Sequence, residues 1–284
     1  MAEYQKQWPI TVLCEVLEVS RSGYYGYIER QKVLGGDAKE ITLRSRVQAI
    51  HAETKQSYGS RRMAKQLQDE GFSVGRYKAR RLMQELDLSV KRRVRRRPQT
   101  TDSRHGFGVA PNLLERRFDV ECPDSAWCGD ITYLWTEEGW LYLSVLLDLY
   151  SRKVVGWAMS DHVDTQLVVD SLQMALGRRQ PSRGLIHHSD RGSQYASHAY
   201  RALLAEHGIR CSMSRKGDCL DNAVAERFFG SLKREWTTNQ YYATRQQAKD
   251  DVIDYIEIFY NSRRKHSYLG YVSPNEYEKI AKVA

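Results

Sequence analysis

The chain has no C-x-x-C pair: its five cysteines, Cys14, Cys122, Cys128, Cys211 and Cys219, are scattered along 284 residues. That argues against both a disulfide framework and a zinc site, and it suits a reducing cytosol. There is no N-terminal signal pattern. The most apolar stretch, Leu141 to Leu149, is too short to cross a bilayer and contains Asp148. The expected location is therefore cytoplasmic, with no membrane partner. Internal repeats are also absent. What remains is an ordinary globular composition, 28% charged and 41% hydrophobic, long enough for one sizeable core and one or two small modules.

The net charge of +9 is unevenly spread. Residues 1–110 carry 22 Lys/Arg against 12 Asp/Glu, whereas residues 111–284 carry 22 against 23. A basic front joined to a near-neutral back suggests that the front grips a polyanion. A basic surface that serves only solubility is the alternative.

Residues 1–36 read as a short helical segment. Ile10, Val12, Leu13, Val16 and Leu17 are helically spaced, Ser20 to Tyr25 offer a turn and a second short helix, and Gly35-Gly36 breaks the chain. Residues 37–90 are helical again. Ile41, Val47 and Ile50 mark one helix, and Met63, Ala64 and Leu67 a second. After the turn Gly71 to Gly75, Ala79, Leu82, Met83 and Leu86 mark a third, which also carries Arg76, Lys78, Arg80 and Arg81. Two helices, a glycine turn and a basic helix fit a helix-turn-helix reader whose last helix enters the major groove; a plain helical bundle fits too. Residues 91–118 are a basic linker, opening with Lys91, Arg92, Arg93, Val94, Arg95, Arg96 and Arg97. Such a tract is extended when alone and contacts phosphates when DNA is bound.

From residue 119 to 284 the pattern becomes strands and helices. Strands are expected over Ala126–Trp135, Leu141–Leu149, Val154–Met159, Gly184–Ser189 and Arg210–Met213. Helices are expected over Thr165–Arg179 and Ser197–His207 and from Asp221 to about Trp236. Antiparallel strands followed by alternating strands and helices give an α/β fold with a mixed sheet flanked by helices.

Three acids stand out. Asp130 lies mid-strand, where burial is expensive without compensating charge; a solvent-facing or amide-bonded Asp is the alternative. Asp190 ends a strand, a favoured ligand position in open α/β sheets, though turn capping is common there. Glu226 sits early on a helix that Asp221 is expected to cap, and Asn222, Glu226 and Lys233 share one face. An exposed Glu–Lys stripe would look the same. Together, three crowded carboxylates need cations to relieve their repulsion, and Mg²⁺ is the natural choice. His187 and His188 adjoin the acids but are not needed as ligands.

At these residues the chain resembles the DDE transposases of bacterial insertion sequences, whose core is similar to retroviral integrase. Asp130, Asp190 and Glu226 match D…D-x35-E, and Lys233 matches the basic residue seven positions on. The strings around them fit closely, as does the tail Tyr260-Asn261-x-Arg263-x-x-His266-x-x-Leu269-Gly270-x-x-Ser273-Pro274. The resemblance covers nearly the whole chain. It implies a ribonuclease-H-like fold, two Mg²⁺ ions (with Mn²⁺ as an alternative) held by the three acids, and a DNA contact by Lys233, to which the shared helix face adds Asn222. It also implies cleavage and strand transfer on double-stranded DNA, by a homo-oligomer on the bacterial nucleoid. The chain looks most like the downstream-frame product of a two-frame element. The upstream-frame product is then an expected partner, since the chain starts at its own methionine and has no long heptad repeat. It also lacks the His/Cys zinc module of retroviral integrases. Two other readings compete: a DNA-binding regulator without full activity, and a ribonuclease acting on RNA–DNA hybrids. The basic reader disfavours the second of these, because A-form grooves are recognised mainly by shape.

Overall fold

The computed structural model describes residues 8–34, 38–90, 108–215, 219–238 and 240–283. The chain divides into two compact units: Met1–Glu53 with Tyr58–Ser89, and Thr54–Ser57 with Val90–Ala284. Among the described residues, no helix is long and apolar enough to cross a membrane.

The first unit is entirely helical. Helices α1 (Ile10–Val16) and α2 (Arg21–Leu34) precede α3 (Ala38–Glu53), α4 (Ser60–Asp69) and α5 (Arg76–Glu85). Leu43, Val47, Ile50, Met63, Ala64, Leu67, Ala79, Leu82 and Met83 are buried, at the three- and four-residue spacings that put them on inward stripes. Ile41 does not join them and is 59% exposed, because a residue two places before Leu43 falls on the far side of the helix. The turn between α4 and α5 is made by Gly71 at φ +87° and by Val74, which tucks inward while its carbonyl accepts from Gln68 Nε2 at 2.9 Å.

The second unit is built on a five-stranded sheet of β1 (Ala126–Thr136), β2 (Gly139–Asp148), β3 (Val154–Ser160), β4 (Ile186–Ser189) and β5 (Arg210–Met213), in the order β3-β2-β1-β4-β5. The first three strands pair antiparallel, and β4 and β5 add in parallel, giving the mixed sheet expected. Helix α6 (Thr165–Arg179) is capped by Asp164, whose carboxylate accepts from the Leu167 amide at 3.0 Å, and it buries Leu167, Val168, Leu172, Ala175 and Leu176 as its pattern requires. It lies so close to β3 that a β-carbon at Gly156 would collide with the Ser171 carbonyl. Trp127 packs into this helix-covered layer with Val168, Leu172 and Tyr200.

The helix expected over Ser197–His207 is α8 (His198–Glu206), and a short further helix, α7 (Ser193–Ala196), precedes it. Ser197 has extended backbone between them and caps α8 by accepting from the Tyr200 amide. Later come α9 (Ala223–Leu232), α10 (Arg245–Ile253) and α11 (Pro274–Val283). Both α9 and α10 widen into π-helical turns, at Lys233–Thr237 and Asp254–Tyr260.

The tail string binds the unit together. The Asn261 side chain accepts from the Val154 amide and donates to the Val154 carbonyl, both at 3.0 Å, so it pairs with the start of β3 as a strand would. Tyr260 donates its hydroxyl to the Arg152 carbonyl at 3.0 Å. Arg264 forms two hydrogen bonds to Glu235, at 2.6 and 2.7 Å, with both side chains buried.

Candidate active site

The position of the first two acids follows from strand register. In the parallel β1–β4 pair, Trp127 lies opposite His187 and Cys128 opposite His188. Alternation along β1 puts Asp130 on the face of Cys128, and Asp190 follows directly on the end of β4, near enough for its charge to act on Asp130. Both aspartates are half-buried. The Asp130 carboxyl is pushed well above the usual carboxylate range, first by burial and then by the charge of Asp190, with Glu226 adding and Lys233 opposing. Each aspartate also accepts from a local amide: Asp130 from Ile131 at 2.8 Å and Asp190 from Gly192 at 2.9 Å. The amide bonding and turn capping expected of ordinary aspartates are thus present here, and they fix the orientation of the two carboxylates.

The third acid depends on how α9 is anchored. The buried Cys128 thiol, two residues before Asp130 on the same face, donates to Asn222 Oδ1 at 2.9 Å. Burial pushes that thiol up to about 12, so it stays protonated as a donor. Asn222 was expected to face DNA; it is instead only 5% exposed and pins the start of α9 to β1. Glu226 follows one turn later and is exposed, and partial burial of its carboxyl raises it above its ordinary range. Asp221 does not cap α9, where Asn222 holds the cap position without a side-chain bond. Asp221 is buried and accepts from the Arg215 amide at 2.9 Å, from Arg116 Nε at 2.8 Å and from Asn112 at 2.9 Å. Arg215 first, and Arg116 with it, hold its carboxyl well below the usual range.

Among the described residues, no three His, Cys, Asp or Glu side chains converge closely enough to hold a metal ion. The aspartates stand together, and Glu226 acts on Asp130 through space. Lys233 sits where α9 widens, with Nζ 4.7 Å from the centroid of the Tyr133 ring. Both histidines beside the acids are structural. His187 Nε2 bonds the Tyr200 hydroxyl at 2.9 Å, and the two ring nitrogens of His188 bond Ser212 and Ser214 at 2.8 and 3.1 Å. Burial lowers them to about 3 and about 4, so both are neutral.

In the helical unit, Arg76, Arg80 and Arg81 are exposed on α5, with Arg81 3.4 Å from Glu85, while half-buried Lys78 lies 3.5 Å from Glu40. Tyr77, 82% exposed between them, is a further side chain of this face that charge alone did not single out. Lys91, Arg92, Arg93, Arg95, Arg96 and Arg97 lie outside the described residues. Sequence reasoning also missed what Asp221, Glu235 and Asn261 do. Only the tail string pointed to Asn261, and it did so without indicating a role.

Family models agree with this layout. An integrase core domain matches residues 120–219, a second integrase core domain model matches 207–274, and an HTH-like domain matches 37–97. The insertion element IS600 uncharacterized 31 kDa protein of Shigella sonnei is 42% identical over 92% of this chain and 96% of its own length. Transposase InsF for insertion sequence IS3A of Escherichia coli (strain K12) is 40% identical over 97% of this chain and 96% of its own. The catalytic core domain of BIV integrase superposes with a TM-score of 0.41 at 17% identity, covering 56% of this chain and 97% of that one. On the strength of the two full-length relatives, the chain belongs to the integrase-type transposases of the IS3 group of insertion sequences.

Proposed function

We propose that Asp130, Asp190 and Glu226 are the catalytic carboxylates of this transposase, and that they hold two divalent cations, Mg²⁺ or Mn²⁺. The observation that supports this reading is the closeness of the two aspartates, whose charges act on one another just past the β1–β4 pairing, together with Cys128, which anchors the Glu226 helix on the face of Asp130. The donor chemistry fits hard cations. The acids offer carboxylate oxygens, the neighbouring thiol is protonated, and both ring nitrogens of His188 are engaged elsewhere. Burial first, and then the charge of Asp190, raises Asp130, and a bound cation would offset the repulsion between the two. When bound, such ions activate an attacking oxygen and stabilise the leaving oxygen of an in-line displacement.

The rest falls to the chain's own residues. The Ile131 and Gly192 amides hold the two aspartates in orientation, and Lys233 contacts DNA near the scissile phosphate. The reaction has two steps and no covalent enzyme intermediate. Water first attacks a phosphodiester at the element end and frees a 3′-hydroxyl; that hydroxyl then attacks a phosphodiester of a second strand. Arg76, Lys78, Arg80 and Arg81 read or grip the duplex through α5, and the 91–97 tract neutralises phosphates. The pairing of two element ends calls for a homo-oligomer on DNA, with the upstream-frame product as a further partner. Labelled element-end DNA with Mg²⁺ tests the site: nicking and strand transfer are expected, and Asp190→Asn should remove both while DNA binding persists. Equal activity in that variant would overturn the assignment.

A further inference from the structure

Strands β4 and β5 run parallel and end together, at Ser189 and Met213. The residues that follow them lie at the carboxyl edge of the sheet, where open α/β folds bind ligands. Asp190 comes directly after β4, and the next residue, Arg191, donates Nε to the Ser214 carbonyl at 2.6 Å. The same peptide group gives its amide, that of Arg215, to Asp221 at 2.9 Å. Asp221 also accepts from the Arg215 side chain through Nε and Nη2, both at 3.1 Å, and from Arg116 Nε at 2.8 Å. One peptide group thus gathers three guanidinium groups around a single carboxylate. The acid and the bases differ in exposure: the Asp221 side chain is wholly buried, whereas those of Arg215 and Arg116 are 57% and 39% exposed. Arg116 arrives there on a strained backbone, for Glu115 and Arg116 both have left-handed φ, at +48° and +62°.

We propose that Arg116, Arg191 and Arg215 form a phosphodiester-binding rim that holds the DNA strand on the β4–β5 side of Asp190. Charge is the first argument. The three arginines against Asp221 sum to +2, and to +1 with Asp190 counted, at an edge where two of them are exposed. Excess is the second. A buried carboxylate needs neutralising once, and Asp221 has that from Arg215, with Asn112 Nδ2 donating to it at 2.9 Å as well. A second arginine, delivered on a strained backbone, goes beyond what stability of the acid requires. Orientation is the third. A guanidinium held by two of its nitrogens is already ordered, which removes the cost a loose arginine incurs in meeting a phosphate, and its planar fork suits phosphate oxygens. Place decides the occupant. Arg191 follows Asp190 with Cα atoms about 3.8 Å apart, close to the roughly 3.4 Å rise of one nucleotide. A strand whose phosphate lies at Asp190 therefore brings its neighbouring phosphates to the rim.

The proposal rests on Asp130 and Asp190 marking the reacting site, but its test is binding without divalent ions, so no cleavage enters it. The full chain is titrated at several salt concentrations with element-end duplexes, each carrying one neutral methylphosphonate in place of a phosphate. Arg215→Gln and Arg116→Gln should each weaken affinity several-fold and lower the salt slope by about one. Each should also become indifferent to the methylphosphonate at a phosphate beside the cleavage position that matters to the parent. Arg215→Lys should keep the parent's slope. Asp190→Asn should keep the parent's phosphate pattern, and an Asp190→Asn that still cleaves would count against the metal site and not against the rim. Parent slopes in both Gln variants would overturn the proposal. So would sensitivity lost only at phosphates far from the cleavage position, or variants that melt lower while the folded protein binds like the parent.

Discussion

The two units use charge in opposite ways. In the helical unit, ion pairs sit at or near the surface: Arg46 spans Glu70 at 2.6 Å and Glu53 at 2.7 Å, and Arg44 pairs with Glu40 and Glu85. Pairs of this kind are worth about 0–1 kcal/mol each, and the α5 arginines beyond them face solvent. The sheet unit has surface pairs too, such as Arg117 with Glu115, but it adds acids buried in its interior. Glu235 holds Arg264, Asp221 holds Arg116 and Arg215, and Arg179 joins Asp124 at 2.8 Å to Glu278 at 2.9 Å. Charge in the first unit is available to a partner, while the buried acids of the second are part of the architecture. Asp130 fits neither description, for it is only half-buried, unlike Asp221 and Glu235, and lies beside another carboxylate instead of a guanidinium.

That exception predicts the largest effect. Asp190→Asn should lower cleavage and strand transfer about a thousandfold or more, the loss of several kcal/mol of transition-state stabilisation, with duplex affinity unchanged. The same substitution removes a repelling charge from beside Asp130, so without divalent ions the variant should melt higher than the parent. Adding Mg²⁺ should raise the parent's Tm and leave the variant's almost where it was. A variant that melts lower and still responds to Mg²⁺ would return Asp190 to the ordinary turn-capping aspartates.

Next in size is a direct contrast between the units. Glu235→Gln leaves Arg264 charged and buried, against the tendency of burial to discharge it, and should cost about 3–5 kcal/mol in urea unfolding. Glu70→Gln removes one partner of Arg46 and should cost less than about 1 kcal/mol. Similar losses for the two would erase the distinction drawn between the units.

How much of this was legible in the sequence follows from the same distinction. Periodicity located β1, β3, β5 and α6 closely, because half-buried strands and one-sided helices write their burial into residue spacing. The three acids could be picked out, since carboxylates at a strand centre, a strand end and a helix start are chemically conspicuous together. The anchoring role of Asn222 was not legible, because helical phase gives a direction but not what stands there, and here it meets the Cys128 thiol. Asp221 was expected to cap its own helix, and its bonds to Arg116 and Asn112 span more than a hundred residues, which no local pattern can reveal. Periodicity also located α8 within one residue at each end, whereas the four-residue α7 before it is too short to leave a periodic pattern.

A pH titration comes third. His187 and His188 are buried neutral, lowered to about 3 and about 4 from an ordinary 6.5. Their contribution is therefore whole above pH 6.5 and is lost as pH falls toward 4, by about 1.4 kcal/mol per pH unit for each ring. Asp148, raised by burial to about 6, works the other way; its contribution is whole below 3.8 and is lost as pH rises through 6. The net slope for the parent is thus blunted, and a difference measurement isolates the histidine. His188→Gln should flatten the stability–pH curve between 6.5 and 4 by one proton's worth relative to the parent. An identical slope would mean that the ring is not buried neutral.

The smallest effect belongs to the first unit. Arg80 is exposed on α5, and the face it shares with Arg76 and Tyr77 lies away from the Ala79, Leu82 and Met83 core. Arg80→Gln should therefore leave unfolding free energy within about 0.5 kcal/mol of the parent. If Arg80 meets a phosphate, affinity should weaken alike on all sequences and the salt slope should fall by about one. If it reads a base edge, the loss should instead be confined to one position of the element end, by about 1–3 kcal/mol. Either result keeps charge in this unit available to a partner. A variant that binds DNA like the parent but unfolds earlier would show charge here doing the structural work found in the sheet unit, and the contrast between the two units would fail at the reader itself.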